Sequence, residues 1–366
     1  RYSAIDTAKE CPYLTTEHKA ITCLGIEATE SRYILTGVGR SVKIFDLNER
    51  RFRVRNKPQA LASGPVATVQ RAHRNVITGL QWYSHDTGMF FSSSNDGSVK
   101  IWDTNTLKEV YSFQLEKALA CVAPFHGTGH SALATSGPSM DRIALCDTRT
   151  GASTHSLVGH SGGCNTLKWS PKSEYILASG GEDSTIRLWD IRKRGVLHSF
   201  DRNRNKISIR RQYSHIIRDT RVTRAHLFAV CSIGFTVDGQ YLLSVDKNLE
   251  TILWDMGDFT NCLVKYPTLT FKSCESNQIA ISPNNSVISF SLGSHGVRIY
   301  ELDTGEPVTR LLGNTRVLCS QFHPTLEELY TGDASGRVTV HTPNIRHMNP
   351  NDVLEENENE EDEWSE

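Results

Sequence analysis

The sequence predicts an all-β fold, a seven-bladed β-propeller, on the basis of three observations. Apolar and polar residues alternate in short runs along most of the chain, as half-buried strands require. The runs recur as copies of one pattern, whose period is close to the ~40 to 45 residues of a four-stranded blade. The clearest copies close on the dipeptide Trp-Asp, at 102–103, 189–190 and 254–255. Seven short sheets closed into a ring leave few free strand edges.

Three of the copies are strong WD repeats. The clearest begins at Gly159–His160 and contains NTLKWS (165–170) and ILASGGEDSTIRLWD (176–190). A second begins at His73 and contains FFSSSNDGSVKIWD, and a third begins at Ala225–His226 and contains LLSVDKNLETILWD. Four weaker copies complete the count, and their third strands end in SVKIFD (41–46), RIALCD (142–147), GVRIYE (296–301) and GRVTVH (336–341).

Four side chains recur at fixed spacing in the strong copies of blades two and four. A buried His, Ser, Asp and Trp can pass hydrogen bonds from donor to acceptor and tie the loop before a blade to its third strand. Ser, His and Asp together also suggest a hydrolase, but a catalytic set occurs once, whereas this set recurs with identical spacing in blades two and four. We therefore interpret the sets as structural tetrads, formed by His73, Ser92, Asp96 and Trp102 in blade two and by His160, Ser179, Asp183 and Trp189 in blade four.

The two ends of the chain are expected to differ in role. The first blade begins at His18, whereas the last has only three strands before Pro343 and a polar tail. The segment from Tyr13 to Thr16 is therefore expected to supply the missing outer strand and to lock the ring. The chain divides into an N-terminal segment (1–17), the propeller (18–343) and a tail (344–366). The tail is expected to be disordered, because its last twelve residues hold eight acids and no base.

Composition and motifs argue against several classes of protein. The net charge is −1, and no apolar run approaches the ~18 to 20 residues of a membrane span. Nine scattered cysteines indicate reduced thiols in an intracellular compartment. The sequence has no P-loop or dinucleotide-binding glycine motif, and no cysteine or acid cluster accompanies His126 and His130. We expect no catalytic residue, no metal and no cofactor, and interpret the propeller as a docking scaffold.

Arg192 is the residue that carries most information about docking. It follows Trp189 and Asp190 by a fixed step and is expected on the loop to the outer strand, where its planar guanidinium can make bidentate contacts across an interface. Blade three repeats the position as Cys-Asp-Thr-Arg, ending at Arg149. Neighbouring blades are expected to place Arg149 and Arg192 on one rim, although two exposed arginines can equally be without function.

The segment around Arg192 resembles the DWD box of WD-repeat substrate receptors of cullin-RING ubiquitin ligases. The resemblance rests on Ser179–Gly180, Asp183, Ile186, Leu188 and the Trp189–Arg192 segment. QWYSHDTGMFFSSSNDGSVKIWDTNTL (81–107) and the tail sequence EDEWSE are similar to receptors of the Cockayne syndrome A type. The likeness spans all seven blades and is strongest in blades two and four.

This resemblance implies a non-catalytic substrate receptor acting in transcription-coupled nucleotide excision repair in the nucleus. It implies docking on the ligase's multi-propeller adaptor, with Trp189, Asp190, Arg192 and Arg149 as adaptor-binding residues. The implied client assembly contains stalled RNA polymerase II and its repair translocase, with nucleic acid indirect at most and no membrane. Family members also carry an N-terminal helix-loop-helix that enters the adaptor, so docking rests either on such helices or on the blade rim. The alternative is a scaffold in a nuclear nucleic-acid-associated complex without a ligase link.

Two long connections interrupt the repeat. The excess between Asp46 and His73 is expected after the fourth strand of blade one, near 51–55, and the excess between Asp190 and His226 after a fourth strand at about 196–200. Both are then expected on the face opposite Arg192, which separates an adaptor face from a client face. The second connection is basic, and such loops suit nucleic acid or an acidic partner. Its cations are Arg202, Arg204, Lys206, Arg210, Arg211, Arg218, Arg221 and Arg224.

Overall fold

A computed structural model provides the structure of the chain. It describes residues 5–6, 14–15, 19–47, 64–83, 87–115, 121–124, 130–204, 223–267, 279–291, 296–311 and 315–343. The expected acidic tail, His18, His126 and most of the basic connection lie outside the described residues. Among the described residues no helix is long and apolar enough to cross a membrane.

The described strands form seven sheets, one for each predicted blade, which confirms the seven-bladed propeller. Blade one consists of β3 (Ile21–Ile26), β4 (Tyr33–Val38), β5 (Ser41–Asp46) and β6 (Ala67–Val69). Blade two consists of β7 (Ile77–Trp82), β8 (Met89–Ser94), β9 (Ser98–Asp103) and β10 (Glu109–Gln114). Blade three consists of β11 (Cys121–Pro124), β12 (Ala132–Ser136), β13 (Arg142–Asp147) and β14 (Ala152–Val158). Blades four and five consist of β15 (Cys164–Trp169), β16 (Ile176–Gly181), β17 (Ile186–Asp190) and β18 (Val196–Ser199), and of β19 (Val230–Phe235), β20 (Tyr241–Asp246), β21 (Thr251–Asp255) and β22 (Thr260–Asn261). Blades six and seven consist of β23 (Ile279–Ile281), β24 (Val287–Ser291), β25 (Val297–Glu301) and β26 (Pro307–Leu311), and of β27 (Val317–Phe322), β28 (Leu329–Asp333) and β29 (Arg337–Pro343) with β1 (Ile5–Asp6) and β2 (Leu14–Thr15).

Each of the first six blades is an antiparallel meander whose strands lie in chain order. The first strand of every blade contacts the first strand of the next, and β27 of the last blade contacts β3 of the first, so the ring is closed. Apolar clusters fill the spaces between neighbouring blades. Tryptophans also join blades by hydrogen bonds: Trp82 donates to the Gly25 carbonyl at 2.9 Å, and Trp169 donates to the Ala123 carbonyl at 2.8 Å.

The outer position of the last blade is occupied by the N-terminal part of the chain. Both β1 and β2 pair antiparallel with β29, with Ile5 opposite Pro343 and Leu14 opposite Val338. The last blade is therefore built from both ends of the propeller, an arrangement that couples ring closure to the packing of the N-terminal segment.

The two long connections leave the ring on different faces. The fourth strand predicted at about 196–200 is confirmed as β18, whose pairing with β17 includes Trp189 opposite Val196. The placement of the first connection after a fourth strand near 51–55 is wrong, because the fourth strand of blade one is β6, with Val42 opposite Val69. Residues 48–63 therefore link the third strand to the fourth, and the connection belongs to the same end of the blades as Arg192.

Candidate functional site

Blade four brings its four predicted tetrad residues together. Trp189 Nε1 donates to Ser179 Oγ at 2.8 Å, and Ser179 Oγ lies 2.7 Å from His160 Nε2. His160 Nδ1 is 2.9 Å from Asp183 Oδ1, and Asp183 also accepts from the Thr185 hydroxyl and the Ser161 N–H. The chain of hydrogen bonds joins the loop before the blade to the second and third strands.

Blade two assembles the same network with one additional member. Trp102 Nε1 donates to Ser92 Oγ at 2.8 Å, and His73 Nε2 lies 2.7 Å from that hydroxyl. His73 Nδ1 contacts Ser98 Oγ at 2.9 Å, and Ser98 in turn donates to Asp96 at 2.6 Å. The serine hydroxyls of both tetrads are fully buried, so they are not accessible to a substrate.

The network determines the ionisation of its groups. Burial raises the pKa of Asp183, but hydrogen bonds from His160, Thr185 and the Ser161 N–H outweigh burial and hold that pKa well below its ordinary value. Burial lowers the pKa of His73, and the neighbouring Asp96 only partly offsets this effect. A carboxylate held ionised beside a buried histidine is a stabilising structural contact, because each partner satisfies the other.

Arg192 lies at the other end of blade four, immediately after β17. Its guanidinium donates to both oxygens of Asp190, from Nε at 3.0 Å and from Nη2 at 2.9 Å, and its backbone N–H also donates to Asp190. The Arg192 Cζ lies 4.1 Å from the centroid of the Tyr175 ring, within the range of a cation–π contact. The Arg192 side chain is 57% exposed even so. The side chain is thus fixed in one orientation and still available to a partner.

Trp189 and Asp190 support Arg192 from beneath the surface. Trp189 is fully buried and Asp190 is only 3% exposed. The bidentate hydrogen bond from Arg192 holds the pKa of Asp190 below its ordinary value, and the same contact raises the pKa of Arg192. Their contribution to a docking surface is therefore to position the arginine, since neither side chain reaches the rim.

The sequence prediction missed Tyr175, which contacts Arg192, and His130, which contacts Tyr175. His130 belongs to the blade-three loop between β11 and β12, and its Nε2 atom lies 2.7 Å from the backbone carbonyl oxygen of Glu174 in blade four. Its ring is 5.7 Å from that of Tyr175 and 5.1 Å from that of Trp169. We call His130, Tyr175 and Arg192 the docking rim. The Tyr-Ile-Leu triplet at 33–35 of blade one is no signal for Tyr175, because Tyr33 lies opposite Asp46 whereas Ile176 lies opposite Asp190.

Blade one contains a second Arg–Asp–Tyr arrangement on the same face. Arg32 donates to Asp46 from Nε at 3.0 Å and from Nη2 at 2.7 Å, and its Cζ lies 5.0 Å from the Tyr33 ring centroid. The arginine here comes from the loop before the second strand and not from the position after the third. The face that carries Arg192 therefore also carries an arginine that the Trp-Asp-x-Arg pattern does not reveal.

Arg149 is exposed on blade three but is organised differently from Arg192. The carboxylate of Asp147 accepts from the hydroxyls of Ser131 and Thr150 and from the backbone N–H of Arg149. The Ser131 hydroxyl and the Arg149 N–H lower the pKa of Asp147 to about 2. Because this carboxylate is satisfied by hydroxyls and backbone, the Arg149 guanidinium does not share the fixed geometry of Arg192.

The basic connection begins and ends at the opposite end of blade four. The N–H groups of Ala225 and His226 both donate to the Ser184 carbonyl in the turn between β16 and β17, and the Arg202 N–H donates to the Arg224 carbonyl. That turn and Arg192 stand at the two ends of β17. Arg202 pairs with Glu250 at 2.9 Å. Lys206, Arg210, Arg211, Arg218 and Arg221 lie outside the described residues.

A closed ring of seven antiparallel blades with this repeated tetrad is a WD-repeat β-propeller. The family model "WD domain, G-beta repeat" matches residues 64–103 and 151–190. It describes a structural repeat and not a catalytic domain.

Three proteins of known name have sequences similar to this chain. The chain is 25% identical to the WD repeat-containing protein ATCSA-1 of Arabidopsis thaliana, over 94% of this chain and 90% of the relative. It is 29% identical to Radiation-sensitive protein 28 of Saccharomyces cerevisiae, over 50% of this chain and 38% of the relative. It is 23% identical to the E3 ubiquitin-protein ligase COP1 of Arabidopsis thaliana, over 84% of this chain and 41% of the relative. The nearly full-length similarity to ATCSA-1 confirms the predicted resemblance to WD-repeat receptors of the Cockayne syndrome A type.

Proposed function

We propose that the protein is a non-catalytic substrate-receptor subunit of a cullin-RING ubiquitin ligase that docks on the ligase adaptor through the docking rim. The observation that carries the proposal is the geometry of Arg192, which is fixed by Asp190 and Tyr175 and still 57% exposed. The similarity to ATCSA-1 and to a named E3 ubiquitin-protein ligase supports this class over a scaffold without a ligase link.

The fixed orientation of Arg192 favours its use at an interface. An arginine that is free in solution loses side-chain entropy of about 0.5 to 1.5 kcal/mol when a partner immobilises it. Here Asp190 and Tyr175 restrict the side chain before a partner arrives, so less entropy remains to be lost. Arginines at the centre of interfaces are frequent hot spots. His130 widens the rim toward blade three and Arg149.

The cellular role that we propose is transcription-coupled nucleotide excision repair in the nucleus. It rests on the resemblance to receptors of the Cockayne syndrome A type and on the similarity to ATCSA-1. The clients in this proposal are stalled RNA polymerase II and its repair translocase, and the adaptor is the multi-propeller subunit of the ligase.

A receptor must hold its adaptor and its client at the same time, and the propeller offers two faces for this purpose. The docking rim lies at one end of the blades, and the described ends of the basic connection lie at the other. We assign the adaptor to the rim and the client assembly to the basic connection.

The experiment that tests the proposal is capture of the purified adaptor on immobilised receptor, followed by addition of the cullin-RING module and ubiquitination enzymes. We expect a stoichiometric receptor–adaptor complex that recruits the cullin. Failure of the purified adaptor to bind the intact propeller would contradict the receptor function and leave only a scaffold.

A further inference from the structure

The histidine of blade five differs from those of blades two and four. His226 Nε2 lies 2.7 Å from Ser244 Oγ, and Trp254 donates to the same hydroxyl at 2.8 Å, as in the other tetrads. However, His226 Nδ1 has no hydrogen-bond partner among the described residues, and neither has Asp246 Oδ2. Both side chains are fully buried. Buried polar atoms without a partner are uncommon and costly, so this pair requires an explanation.

The sequence of blade five explains how the difference arises. Counted from the tetrad serine, Asn248 takes the place of the tetrad acid Asp183, while Asp246 takes the place of Gly181 and Glu250 that of Thr185. In blade four, a Cβ added at Gly181 would lie 2.4 Å from His160 Nδ1 and 2.6 Å from Asp183 Oδ1. A side chain at this position therefore enters the space where the tetrad acid normally meets the histidine. Blade five thus directs two carboxylates toward its histidine in place of one.

The three groups converge on one point without touching. Asp246 Oδ2 is 3.8 Å and Glu250 Oε2 is 3.9 Å from His226 Nδ1, and the ligand atoms of all three lie within 4.8 Å of one another. These separations are too long for direct hydrogen bonds. A point equidistant from the three atoms lies roughly 2.1 to 2.5 Å from each, which overlaps the ~2.0 to 2.2 Å of zinc–nitrogen and zinc–oxygen bonds.

The hydrogen bonds of the neighbouring residues leave a lone pair on His226 Nδ1 available to a ligand. Ser244 Oγ donates to the Ile252 carbonyl, so it can accept both from Trp254 Nε1–H and from His226 Nε2–H. That tautomer leaves a lone pair on Nδ1, directed at the two acids.

The acids are arranged in a matching way. The Oδ1 atom of Asp246 accepts the N–H groups of Asn248 and Glu250. Arg202 donates to both oxygens of Glu250, from Nη2 to Oε1 at 2.9 Å and from Nη1 to Oε2 at the longer distance of 3.5 Å, so Oε2 keeps a lone pair for the cluster. Asp246 Oδ2 and Glu250 Oε2 are therefore the oxygens that face the histidine. With Arg202 included, the two carboxylates leave the cluster one negative charge in excess, which a divalent cation can offset.

We propose that the buried His226 and Asp246, together with the partly exposed Glu250, form a site for a divalent transition-metal ion of the zinc class. The imidazole nitrogen and two carboxylate oxygens suit such an ion better than calcium or magnesium, which prefer oxygen ligands alone. The site also has a structural consequence. Arg202 stands near the start of the basic connection and pairs with Glu250, and His226 follows its end. An ion bound by His226 and Glu250 would therefore attach both ends of the connection to blade five.

The test uses the purified protein, stripped of metal with a chelator and titrated with zinc chloride. The matched variant combines Asp246→Gly, Asn248→Asp and Glu250→Thr, which recreates the arrangement of blade four and retains every cysteine and histidine. We expect the wild-type protein to bind one more equivalent of zinc than this variant and to melt at a higher temperature when loaded. Equal zinc stoichiometry in the two proteins would overturn the proposal.

Two further measurements keep the proposal falsifiable if the triple variant does not fold. Glu250→Gln is expected to raise the dissociation constant for zinc at least tenfold, whereas Glu182→Gln, which alters the neighbouring Lys247 ion pair, leaves it unchanged. In crystals grown with zinc, anomalous scattering at the zinc edge is expected beside His226 Nδ1. An ordered water without anomalous signal at that point, or equal effects of Glu250→Gln and Glu182→Gln, would refute the site.

Discussion

At the scale of single residues, the tetrads convert polar side chains into a source of stability. Each tetrad satisfies an indole N–H, a hydroxyl, an imidazole and a carboxylate within one blade, so that few buried donors or acceptors remain unpaired. The last blade keeps part of the pattern with other residues. His341 stands where the tryptophan would be, ten residues after Thr331, and its Nε2 lies 3.0 Å from the Thr331 hydroxyl.

Loss of the tetrad acid is expected to destabilise blade four selectively. Asp183→Ala leaves His160 and Thr185 without their acceptor, and stranding a buried group costs ~1 to 3 kcal/mol. The control is Asn248→Ala, at the equivalent position of blade five, where the side chain is exposed and the expected loss is within ~0.5 kcal/mol. Chemical denaturation of both variants checks this expectation, and equal losses in free energy of unfolding would contradict the structural role of the tetrad.

His341 is expected to make stability depend on pH under mildly acidic conditions. Burial lowers its pKa from 6.5 to about 4, so the unfolded chain binds the proton before the folded chain does. The stabilising contribution is complete above pH 6.5 and is lost as the pH falls toward 4, with a slope of up to about 1.4 kcal/mol per pH unit for one proton. In His341→Gln the slope of unfolding free energy between pH 6.5 and 4 should be smaller by up to this amount. Parallel pH profiles for the variant and the wild-type protein would show that His341 is not the group responsible.

At the scale of elements, the connections decide what each face can do. The described ends of the basic connection are fixed to the turn after β16 and to Glu250, on the face opposite Arg192. The first connection, residues 48–63, belongs instead to the Arg192 face, since it joins β5 to β6. The sequence of this connection contains Arg51, Arg53 and Arg55, and its described ends, Leu47 and Gly64, lie at the Arg192 end of the blades.

Reversal of charge in the basic connection between blades four and five is expected to impair one binding face and spare the other. Arg210→Glu combined with Arg211→Glu should impair assembly with the client complex, and the wild-type interaction should weaken with added salt, because the attraction is electrostatic. Binding of the purified adaptor should be unchanged. A double variant that loses the adaptor but retains the client would contradict the assignment of the two faces.

At the scale of the whole molecule, ring closure depends on residues at both ends of the propeller. Removal of residues 1–16 deletes β1 and β2 and exposes the edge of β29. We expect a lower melting temperature and concentration-dependent self-association, because an unpaired edge strand is a template for pairing with another chain. Removal of residues 344–366 is the control and should leave both properties unchanged. A shortened N-terminus that melts like the full chain would show that the pairing contributes little.

The sequence was sufficient for the architecture because the repeat is periodic and blades two and four carry the same spacing of His, Ser, Asp and Trp. It misplaced the fourth strand of blade one, since Arg-Phe-Arg-Val-Arg at 51–55 alternates like a strand while the actual strand, Ala67–Val69, is only three residues long. Arg192 was evident from its position after Trp-Asp. The contact between Arg192 and Tyr175 and the contact between Tyr175 and His130 could not be predicted from the sequence, because they join loops from different strands and blades.

The affinity of the purified adaptor for the Arg192→Ala variant tests the central claim most directly. Loss of an arginine hot spot worth ~2 kcal/mol corresponds to a rise in the dissociation constant of about 30-fold. The propeller should stay folded with a modest fall in melting temperature, because Asp190 is buried and loses its side-chain partner, so affinity is compared at a temperature where both proteins are folded. Lys193→Ala, at the adjacent exposed cation, is expected to bind like the wild-type protein. Wild-type affinity in Arg192→Ala, or an equal loss in Lys193→Ala, would contradict docking through this rim.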